Sequence, residues 1–586
     1  MASPDDFSTL GEMFERSADL YGPRPLFGTK RQGGWSWMTY AEFKDAVDAF
    51  KKALYTHGVR RGDRVCAISA NTVEWAAAAY ACYALGAVYV PMYESQSEKE
   101  WAFIVKDSGA KVLLTATEGI GDRYMQHAPG GPVRLLGMDL NVYRAYPGTQ
   151  LMQDDPPPPS PDDVACFVYT SGTTGDPKGV VLTHANIISN IKGVLGLGMI
   201  SEEDRSLSFL PWAHAMGHTC ELHGLVCMGA SIAICEGVEK IVSNLAEVRP
   251  TVLFAVPRIF NKIYNGVRKQ MEEKPEFVQW IFEGGLAAAK KHKRGSALAI
   301  TESVKLTLAE RIIFSKIRRK FGGRLRLAVS GAAALSHDVA EFIDALGIEV
   351  YEGYGLSETS PIVSVNFPGN RKLGTVGKPI AGVQVTLDES ASDEPGQGEL
   401  IIRGPNVMRG YHARPEESAA VFTPDGGFKT GDLGRIDADG YISITGRIKE
   451  QYKLENGKYV APAPIEEQLK LSPLIANAMV CGANKPFNVA LIVADMAAVK
   501  AKLYGDQPVI PGHAPETLLA DGRVHEAFAA EIERLTAEIK GYERIKKFAL
   551  IADDFTQENG MLTPTLKLKR RNVLARWGSE IEKLYA

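Results

Sequence analysis

The sequence of 586 residues has few cysteines, and none of them belong to a Cys-x-x-Cys pair. A cysteine-rich disulfide framework and the usual cysteine-based zinc sites are therefore excluded. An odd number of thiols, mostly in apolar surroundings, is typical of a reduced, cytoplasmic protein. Residues 1–6 contain no basic leader and no apolar run, so we expect no secretory signal. The seven cysteines are Cys66, Cys82, Cys166, Cys220, Cys227, Cys235 and Cys481.

Positive charge is not in excess either. The chain has 66 Lys and Arg against 70 Asp and Glu, which gives a net charge of −4 with His neutral. A nucleic-acid partner is therefore not expected, because such binding relies on a basic surface. One uncharged stretch, residues 75–93, is long enough to be tested as a membrane span, but it is alanine-rich and Gly86 interrupts it. We interpret it as a buried helix followed by a buried strand that ends at Pro91.

Short apolar runs alternate with helical patterns over much of the chain, which predicts parallel α/β layers. Residues 261–326 are mainly helical and locally basic; a solvated surface is the favoured interpretation, and contact with anionic lipid is the alternative. From residue 383 onward, short strands and glycine turns indicate a small β-rich subdomain. Past Arg447 a separate C-terminal unit is expected, with a helix at residues 525–540. The predicted strands are 64–69, 87–90, 111–115, 231–235, 251–255, 325–329, 348–351, 478–481 and 490–494.

Residues 170–179, Thr-Ser-Gly-Thr-Thr-Gly-Asp-Pro-Lys-Gly, follow an apolar, strand-like run. Glycines and small hydroxyl residues let backbone N–H groups approach phosphate oxygens, and Lys178 adds a positive charge. The segment is not the common NTPase loop, because Pro177 stands where that loop needs Gly before Lys. We predict a phosphate-binding loop, with a plain turn between a strand and a helix as the alternative. The proline-rich residues 154–163 are expected to form a stiff connector into it.

Further segments carry groups that suit a nucleotide. Tyr354 can stack on a purine, and Glu358 can bind a divalent cation that bridges phosphates. Asp432, expected in a turn, can accept two ribose hydroxyls, and Arg447 can bind the same ligand. Lys567 lies near the C-terminus, where a mobile domain can carry it into a site built by the larger domain. Each residue alone is better explained as ordinary surface, so it is their combination that favours ATP.

Two other kinds of site are not favoured. His214, His218, Cys220 and His223 lie within ten residues, but they have neither the His-Glu-x-x-His order nor a second ligand cluster. Zinc is therefore a minor alternative. A Gly-x-Ser-x-Gly segment is also missing, so we do not expect covalent catalysis by a hydrolase-type serine.

These motifs, in this order, resemble the adenylate-forming acyl-CoA synthetase superfamily and, within it, the long-chain fatty acid–CoA ligases. The resemblance covers residues 9–571. It implies an α/β fold in which residues 1–447 form a large N-terminal domain of layered α/β subdomains plus a small distorted β-barrel. Residues 448–586 are implied to form a smaller, mobile α+β C-terminal domain. The matching segments are residues 170–179, 210–214, 256–264, 354–359, 430–432 and 446–449.

The resemblance also implies a two-step reaction. A long-chain fatty acid carboxylate attacks the α-phosphate of ATP, with Mg²⁺ bound, to give acyl-AMP and pyrophosphate; the thiol of CoA then displaces AMP. Open alternatives are a fatty acyl-AMP ligase that loads a carrier protein, a CoA ligase for a medium-chain or aryl acid, and a nucleotide-dependent scaffold with a degenerate site. A cytoplasmic location, a homodimer and peripheral contact with the inner face of a membrane complete these expectations.

Individual roles follow from the resemblance. Lys567 is implied to bridge the substrate carboxylate and ATP; Leu566 precedes it where the family commonly has Gly, which keeps Lys569 as an alternative. His214 is implied to lie beside the acyl and adenylate pocket. Phe260 borders the acyl tunnel, either as a gate or as simple core packing, and the hinge of the C-terminal domain is Lys449.

The implied nucleotide residues fall into groups by the part of ATP that they contact. The resemblance also implies a catalytic role for Thr170, Glu358, His214 and Lys567. The groups are Thr170, Ser171, Gly172, Thr173, Thr174, Gly175 and Lys178 for the β- and γ-phosphates; Gly331, Ala332, Ala333, Tyr354 and Gly355 for adenine; Thr359 for the α-phosphate; Glu358 for Mg²⁺; and Asp432 and Arg447 for ribose.

Overall fold

Two large sheets form most of the N-terminal part of the protein. The computed structural model describes residues 6–129, 133–144, 158–170, 176–504, 515–563 and 567–586. The seven-stranded sheet has the order Gly410–Tyr411, Lys178–Thr183, Val164–Thr170, Val88–Met92, Arg64–Ile68, Val112–Thr115 and Arg134–Gly137. The nine-stranded sheet has the order Lys378–Pro379, Ile362–Val365, Glu349–Gly355, Leu327–Ser330, Val252–Ala255, Arg205–Ser208, Ser231–Ile234, Pro25–Arg31 and Gly34–Thr39.

Three smaller sheets follow along the chain. The part predicted to form a small barrel is a four-stranded antiparallel sheet, in the order Gln384–Asp388, Gly398–Arg403, Phe428–Ile436 and Ile442–Arg447. A two-stranded ribbon comes next, Tyr452–Lys453 with Tyr459–Val460. The C-terminal part contains a three-stranded mixed sheet of Ile475–Cys481, Asn488–Ala494 and Ile545–Ile551.

Helices cover the sheets. Many begin at a hydroxyl residue that caps free N–H groups, as Thr183 does when its Oγ1 accepts from the N–H of Asn186 at 3.1 Å. The α-helices are Leu10–Tyr21, Tyr40–Thr56, Val73–Ala84, Glu98–Ser108, Glu118–His127, Leu140–Arg144, His184–Leu195, Gly224–Cys227, Ile241–Val248, Pro257–Glu272, Glu276–Lys293, Ile300–Ala309, Ser315–Lys320, His337–Ala345, Pro415–Ala420, Pro462–Leu469, Met496–Tyr504, Pro515–Leu519, Gly522–Leu535 and Arg570–Lys583. Met216–His223 and Glu310–Phe314 are π-helices, and short 3₁₀ turns lie at Val238–Lys240, Ser357–Thr359, Glu389–Ala391 and Gly541–Glu543.

The uncharged stretch at residues 75–93 has the predicted structure. It contains most of the buried helix Val73–Ala84 and the buried strand Val88–Met92, with Pro91 inside the strand near its end. Within the described residues, no helix combines the length and the apolar character needed to cross a membrane.

Two local expectations differ from the structure, and part of a third concerns residues that the structure does not describe. The phosphate segment joins two antiparallel strands, Val164–Thr170 and Lys178–Thr183, rather than a strand and a helix. The helix predicted at residues 525–540 spans Gly522–Leu535, because the backbone of Thr536 leaves the helical region, with a φ of −108° and a ψ of 14°. Residues 154–157 of the predicted connector lie outside the described residues.

Candidate active site

One large cavity, of about 1280 Å³, lies among the sheets and the C-terminal part. It is found where Val164–Thr170, Leu327–Ser330 and Glu349–Gly355 reach their carboxyl ends, the usual ligand position in α/β sheets. Small-molecule sites commonly occupy about 300–1,000 Å³, so this cavity has room for more than one ligand. The predicted residues that line it are Thr170, Lys178, His214, Gly331, Ala332, Tyr354, Gly355, Glu358, Arg447, Lys449 and Lys567.

One end of the cavity suits phosphate and a divalent cation. Thr170 and Lys178 are paired across the two strands. The Nζ atom of Lys178 forms an ion pair with Glu417 and lies 5.4 Å from the centre of the Tyr411 ring. The Tyr411 hydroxyl donates to Glu358 Oε1 at 2.9 Å, so Tyr411 lies between the ammonium group of Lys178 and the carboxylate of Glu358. The other loop residues, Ser171, Gly172, Thr173, Thr174 and Gly175, lie outside the described residues.

Tyr411 and Glu417 are the residues of this end that sequence reasoning missed. Tyr411 lies in the short strand Gly410–Tyr411, which pairs with the strand that begins at Lys178. Glu417 lies on the helix that follows, Pro415–Ala420. No local motif marks either residue, because their contacts depend on strand pairing between distant segments.

The next part of the cavity suits a nucleoside. Arg447 Nε lies 2.9 Å from Asp432 Oδ1, and the Tyr354 hydroxyl donates to Asp432 Oδ2 at 2.7 Å. The prediction that Asp432 lies in a turn is wrong. It lies within the strand Phe428–Ile436, directly opposite Arg447, and Gly431 before it has a φ of +70° that bends the strand. Burial raises the pKa of Asp432, and Arg447 and Tyr354 oppose that shift by favouring the carboxylate.

Four predicted residues lie away from the cavity surface, and one of them is Asp432, which is 2% exposed and bonded to the lining residues Arg447 and Tyr354. Gly331 and Ala332 line the cavity, whereas Ala333 is exposed and is not part of the wall. Thr359 is fully buried, and its hydroxyl donates to the backbone carbonyl of Pro361 at 2.5 Å, which fixes the turn behind Glu358. Phe260 is 1% exposed and packs in the core beneath the nine-stranded sheet. The core-packing alternative for Phe260 therefore describes this structure.

Lys567 and His214 meet where the nucleoside end passes into the rest of the cavity. Lys567 is held by a backbone N–H that donates to Thr563 Oγ1 at 3.0 Å. Burial lowers its pKa, and the charge of Arg447 lowers it further. Burial lowers the pKa of His214 to about 4, and the nearby charge of Lys567 contributes a smaller part of this shift. His214 Nδ1 accepts from the N–H of Met216 at 3.3 Å, so the neutral ring carries its proton on Nε2.

The other members of the histidine cluster are structural. His218 Nε2 lies 2.8 Å from the Tyr83 hydroxyl, and His223 Nδ1 lies 2.8 Å from the Tyr80 hydroxyl. Within the described residues, no group of three or more His, Cys, Asp or Glu is placed to hold a metal ion. The zinc alternative is therefore not supported, and the histidines belong to a buried polar network behind the cavity.

Glu221 is a further buried residue that sequence reasoning missed. It lies in the π-helix Met216–His223, and its two carboxylate oxygens accept from Ser206 and Ser208, each at 2.7 Å. Both serines lie in the strand Arg205–Ser208, so Glu221 ties this helix to the nine-stranded sheet. The same helix places Cys220 in the cavity wall. Burial raises the pKa of Glu221 to about 7, and the two serine hydrogen bonds oppose the shift.

We expect Glu221→Gln to flatten part of the pH dependence of stability. A carboxyl whose pKa is raised on folding stabilises the protein below the unfolded pKa of 4.5, and this contribution is lost as pH rises through about 7. The loss is about 3 kcal/mol, and the amide has none. Thermal unfolding of both proteins at pH 5.5 and 8.5 should therefore show the variant gaining on the wild type at the higher pH. A constant difference between the two proteins would contradict this account.

The remaining branch of the cavity is apolar. Its wall comes from the helix His184–Leu195, the segment that follows it, the π-helix and two strand ends. The predicted tunnel segment, residues 256–264, does not line it; the preceding strand contributes Phe254 instead. Such a wall favours an apolar ligand group, since none of the described residues that form this branch carries a charged side chain. The apolar branch is Ile191, Val194, Leu195, Met199, Ile200, Cys220, Met228, Phe254 and Val329.

Comparison with known proteins identifies the family. The chain matches the AMP-binding enzyme family over residues 14–412 and the AMP-binding enzyme C-terminal domain over residues 449–586. The long-chain-fatty-acid–CoA ligase FadD15 of Mycobacterium tuberculosis is 34% identical over 576 residues, covering 94% of this chain and 93% of that protein. The peroxisomal long chain acyl-CoA synthetase 7 of Arabidopsis thaliana is 31% identical over 622 residues, covering 99% and 87%.

A solved structure supports the fold. The adenylation domain of the carboxylate reductase from Mycobacterium chelonae superimposes with a TM-score of 0.78, covering 98% of this chain and 91% of that one, at 23% sequence identity. That likeness concerns the fold alone, whereas the family matches extend over both parts of the sequence. The chain therefore belongs to the AMP-binding enzyme family, the adenylate-forming enzymes that its motifs predicted.

Proposed function

We propose that this protein is a long-chain fatty acid–CoA ligase that forms acyl-AMP as its intermediate. The observation that carries the proposal is that a single cavity is lined by the nucleotide-end residues, by the apolar branch, and by His214 and Lys567. An apolar chain in the branch would present its carboxylate to the nucleotide end, as adenylation requires. The related ligases named above cover nearly the whole chain, which supports the same substrate class.

In the proposed first step, a carboxylate oxygen attacks the α-phosphorus of ATP, a new P–O bond forms, and pyrophosphate leaves. Lys567 would offset the charge between the carboxylate and the phosphate, and His214 would donate from Nε2 without adding a second charge. Asp432 would accept the ribose hydroxyls, which requires Arg447 and Tyr354 to share its two oxygens with the ligand. Lys178 would leave Glu417 to bind the β- and γ-phosphates.

The proposed Mg²⁺ ion fits Glu358. One carboxylate oxygen of Glu358 accepts from Tyr411, and the side chain lines the cavity. A Mg²⁺ ion that is held by one carboxylate, with phosphate oxygens and water as the other ligands, is the usual arrangement at a nucleotide. The ion would offset phosphate charge as pyrophosphate departs.

In the proposed second step, the thiolate of CoA attacks the acyl carbonyl, the C–O bond to the phosphate breaks, and AMP leaves with that oxygen. We propose that residues 448–586 rotate about Lys449 between the steps, since Lys567 comes from this part and fills the site in the arrangement described here. Lys449 is exposed and lies in the turn directly after the strand Ile442–Arg447, where a change in backbone angles disturbs little packing. A cytoplasmic location and a homodimer stay predictions.

The experiment that tests the substrate class is AMP release in the presence of free CoA, measured with acids from acetate to oleate and with benzoate. We expect the highest kcat/KM with long-chain acids, because each methylene placed in the apolar branch adds binding free energy. Maximal activity with benzoate would overturn the substrate class. Activity with a carrier protein but none with free CoA would identify a carrier-loading ligase instead.

A cavity variant should shift the chain-length preference. Cys220 lines the apolar branch, and burial raises the pKa of its thiol to about 12, so it acts there as a small apolar side chain. Cys220→Phe should lower kcat/KM for oleate by about tenfold or more and spare octanoate, because the added ring fills space that a long chain needs. Cys220→Ala is the matched control and should keep oleate activity. An equal loss for all chain lengths in the Phe variant would contradict the placement of the chain.

A further inference from the structure

A helical rod at residues 300–320 carries an apolar ridge on its solvent side. The rod consists of Ile300–Ala309, Glu310–Phe314 and Ser315–Lys320 in unbroken succession. Four side chains spaced four residues apart are exposed: Ile300 by 85%, Val304 by 53%, Leu308 by 38% and Ile312 by 44%. Residues with this spacing share a helix face.

The neighbouring helix Glu276–Lys293 widens the ridge. Phe277 and Trp280 are 67% and 54% exposed, and their rings stack with centroids 6.3 Å apart. Lys305 Nζ lies 4.2 Å from the centre of the Trp280 ring and joins the two helices. We call this surface the hairpin ridge, and its apolar members are Phe277, Trp280, Ile300, Val304, Leu308 and Ile312.

The hairpin ridge is not needed for the fold of the rod. Its opposite side already packs into the core through Ala309, Ile313, Phe314 and Ile317, which are each less than a tenth exposed. A contiguous exposed apolar surface of this kind marks a site of interaction in proteins. The remaining question is which partner suits it.

The charge around the hairpin ridge is mainly positive. Residues 276–320 hold ten Lys and Arg against four Glu, and Arg311, Lys316, Arg319 and Lys320 are exposed on the rod, whereas the exposed acids Glu276 and Glu283 lie on the other helix. The two acids of the rod are half-buried and paired, Glu302 with Lys291 and Glu310 with Arg318. This differs from the chain as a whole, which has a net charge of −4. A partner that is apolar beneath an anionic surface fits this combination.

We propose that the hairpin ridge docks on the surface of an anionic phospholipid bilayer. Trp280 and the aliphatic side chains would enter the boundary between headgroups and acyl chains, and the exposed arginines and lysines would lie at the lipid phosphates. Tryptophan suits this boundary because one part of its ring system is apolar and its N–H is polar. None of the residues of the hairpin ridge lines the cavity, so the proposal holds whichever acid the enzyme activates.

The test is flotation of the full chain with vesicles of phosphatidylcholine alone or with about one third phosphatidylglycerol. Wild type should float with the anionic vesicles and little with the neutral ones. Val304→Glu with Leu308→Glu should lower the bound fraction about tenfold, and Arg311→Gln with Arg319→Gln should lower it and weaken its dependence on salt. Leu20→Glu, an apolar-to-acid change at a residue 58% exposed on the helix Leu10–Tyr21, is the matched control and should bind normally.

Several outcomes would overturn the proposal. The first is a wild-type protein that does not bind anionic vesicles, and the second is a Val304→Glu, Leu308→Glu variant that binds as well as the wild type. The third is a loss of binding in Leu20→Glu as large as the loss in that double variant. Octanoate activation at the wild-type rate verifies that each variant is folded, since none of these residues lies in the cavity wall. A second copy of the chain could occupy the ridge instead of a bilayer, and sedimentation tests this alternative. A dimer that is present in the wild type and absent in the Val304→Glu, Leu308→Glu variant would assign the ridge to that second copy.

Discussion

Lys567→Ala should lower the rate of acyl-AMP formation by about a hundredfold to a thousandfold, the cost of removing a group that stabilises developing charge. The ammonium group lies among Arg447, Asp432, Glu358 and Glu450 and is close enough to His214 to lower the pKa of that ring. Without it, the attacking carboxylate approaches the α-phosphate with less charge compensation. The rate is measured by pyrophosphate release with ATP and oleate in the absence of thiol.

Two controls make this experiment specific. Thioester formation from preformed acyl-AMP and CoA should be nearly unchanged, because that half-reaction forms no bond to the phosphorus. Lys569→Ala, which removes the other candidate lysine in the cavity wall, should keep most of the adenylation rate. If Lys569→Ala abolishes adenylation and Lys567→Ala does not, the roles of the two lysines are reversed. If both half-reactions fall equally in Lys567→Ala, its assignment to the first step is wrong.

Lys449→Pro should impair the second half-reaction and spare the first, the reverse of Lys567→Ala. Proline fixes φ and restrains Ile448 before it, so the turn after the strand Ile442–Arg447 loses the freedom to rearrange. The N–H of Lys449 donates no backbone hydrogen bond among the described residues, so the substitution removes none. Acyl-AMP formation should persist, while thioester formation from acyl-AMP falls by about a hundredfold or more, since it depends on the conformational step.

The companion variant is Lys449→Ala, which removes the charge and keeps the backbone free. It should support both half-reactions near the wild-type rate. Equal loss of both half-reactions in Lys449→Pro, with the thermal midpoint unchanged, would rule out a hinge at this residue. Loss of thioester formation in Lys449→Ala as well would indicate a role for the side chain instead of the backbone.

Much of the fold was predictable because buried strands of parallel sheets are short apolar runs bounded by turns. The stretch at residues 75–93 shows this, since Gly86 marks the change from helix to strand and Pro91 lies near the end of the strand. Boundaries were less predictable. The apolar spacing suggested that the helix Gly522–Leu535 continues to residue 540, but the backbone angles of Thr536 are not helical and end it. Likewise, Gly431 suggested a turn at Asp432, whereas it bends a continuous strand.

In the candidate site, too, the local features were predictable and the features that depend on packing were not. Residues within compact motifs, such as Lys178, Tyr354 and Glu358, line the cavity as expected. Motif membership did not distinguish Glu358 from its neighbour Thr359, which is fully buried because successive residues of the 3₁₀ turn Ser357–Thr359 point in different directions. Tyr411 escaped prediction because its contact with Glu358 joins residues 53 positions apart. Side-chain direction and long-range contact, which depend on packing, are the parts that spacing does not determine.

This protein activates a carboxylate by adenylation, and the fate of the carboxylate oxygen is the most direct test of that chemistry. Oleate labelled with ¹⁸O in both carboxylate positions is incubated with the enzyme, ATP, Mg²⁺ and CoA, and the products are analysed by mass spectrometry. Attack on the α-phosphorus followed by thiolysis predicts AMP with one ¹⁸O, unlabelled pyrophosphate and oleoyl-CoA with one ¹⁸O. Unlabelled AMP, or ADP with labelled phosphate, would contradict the account.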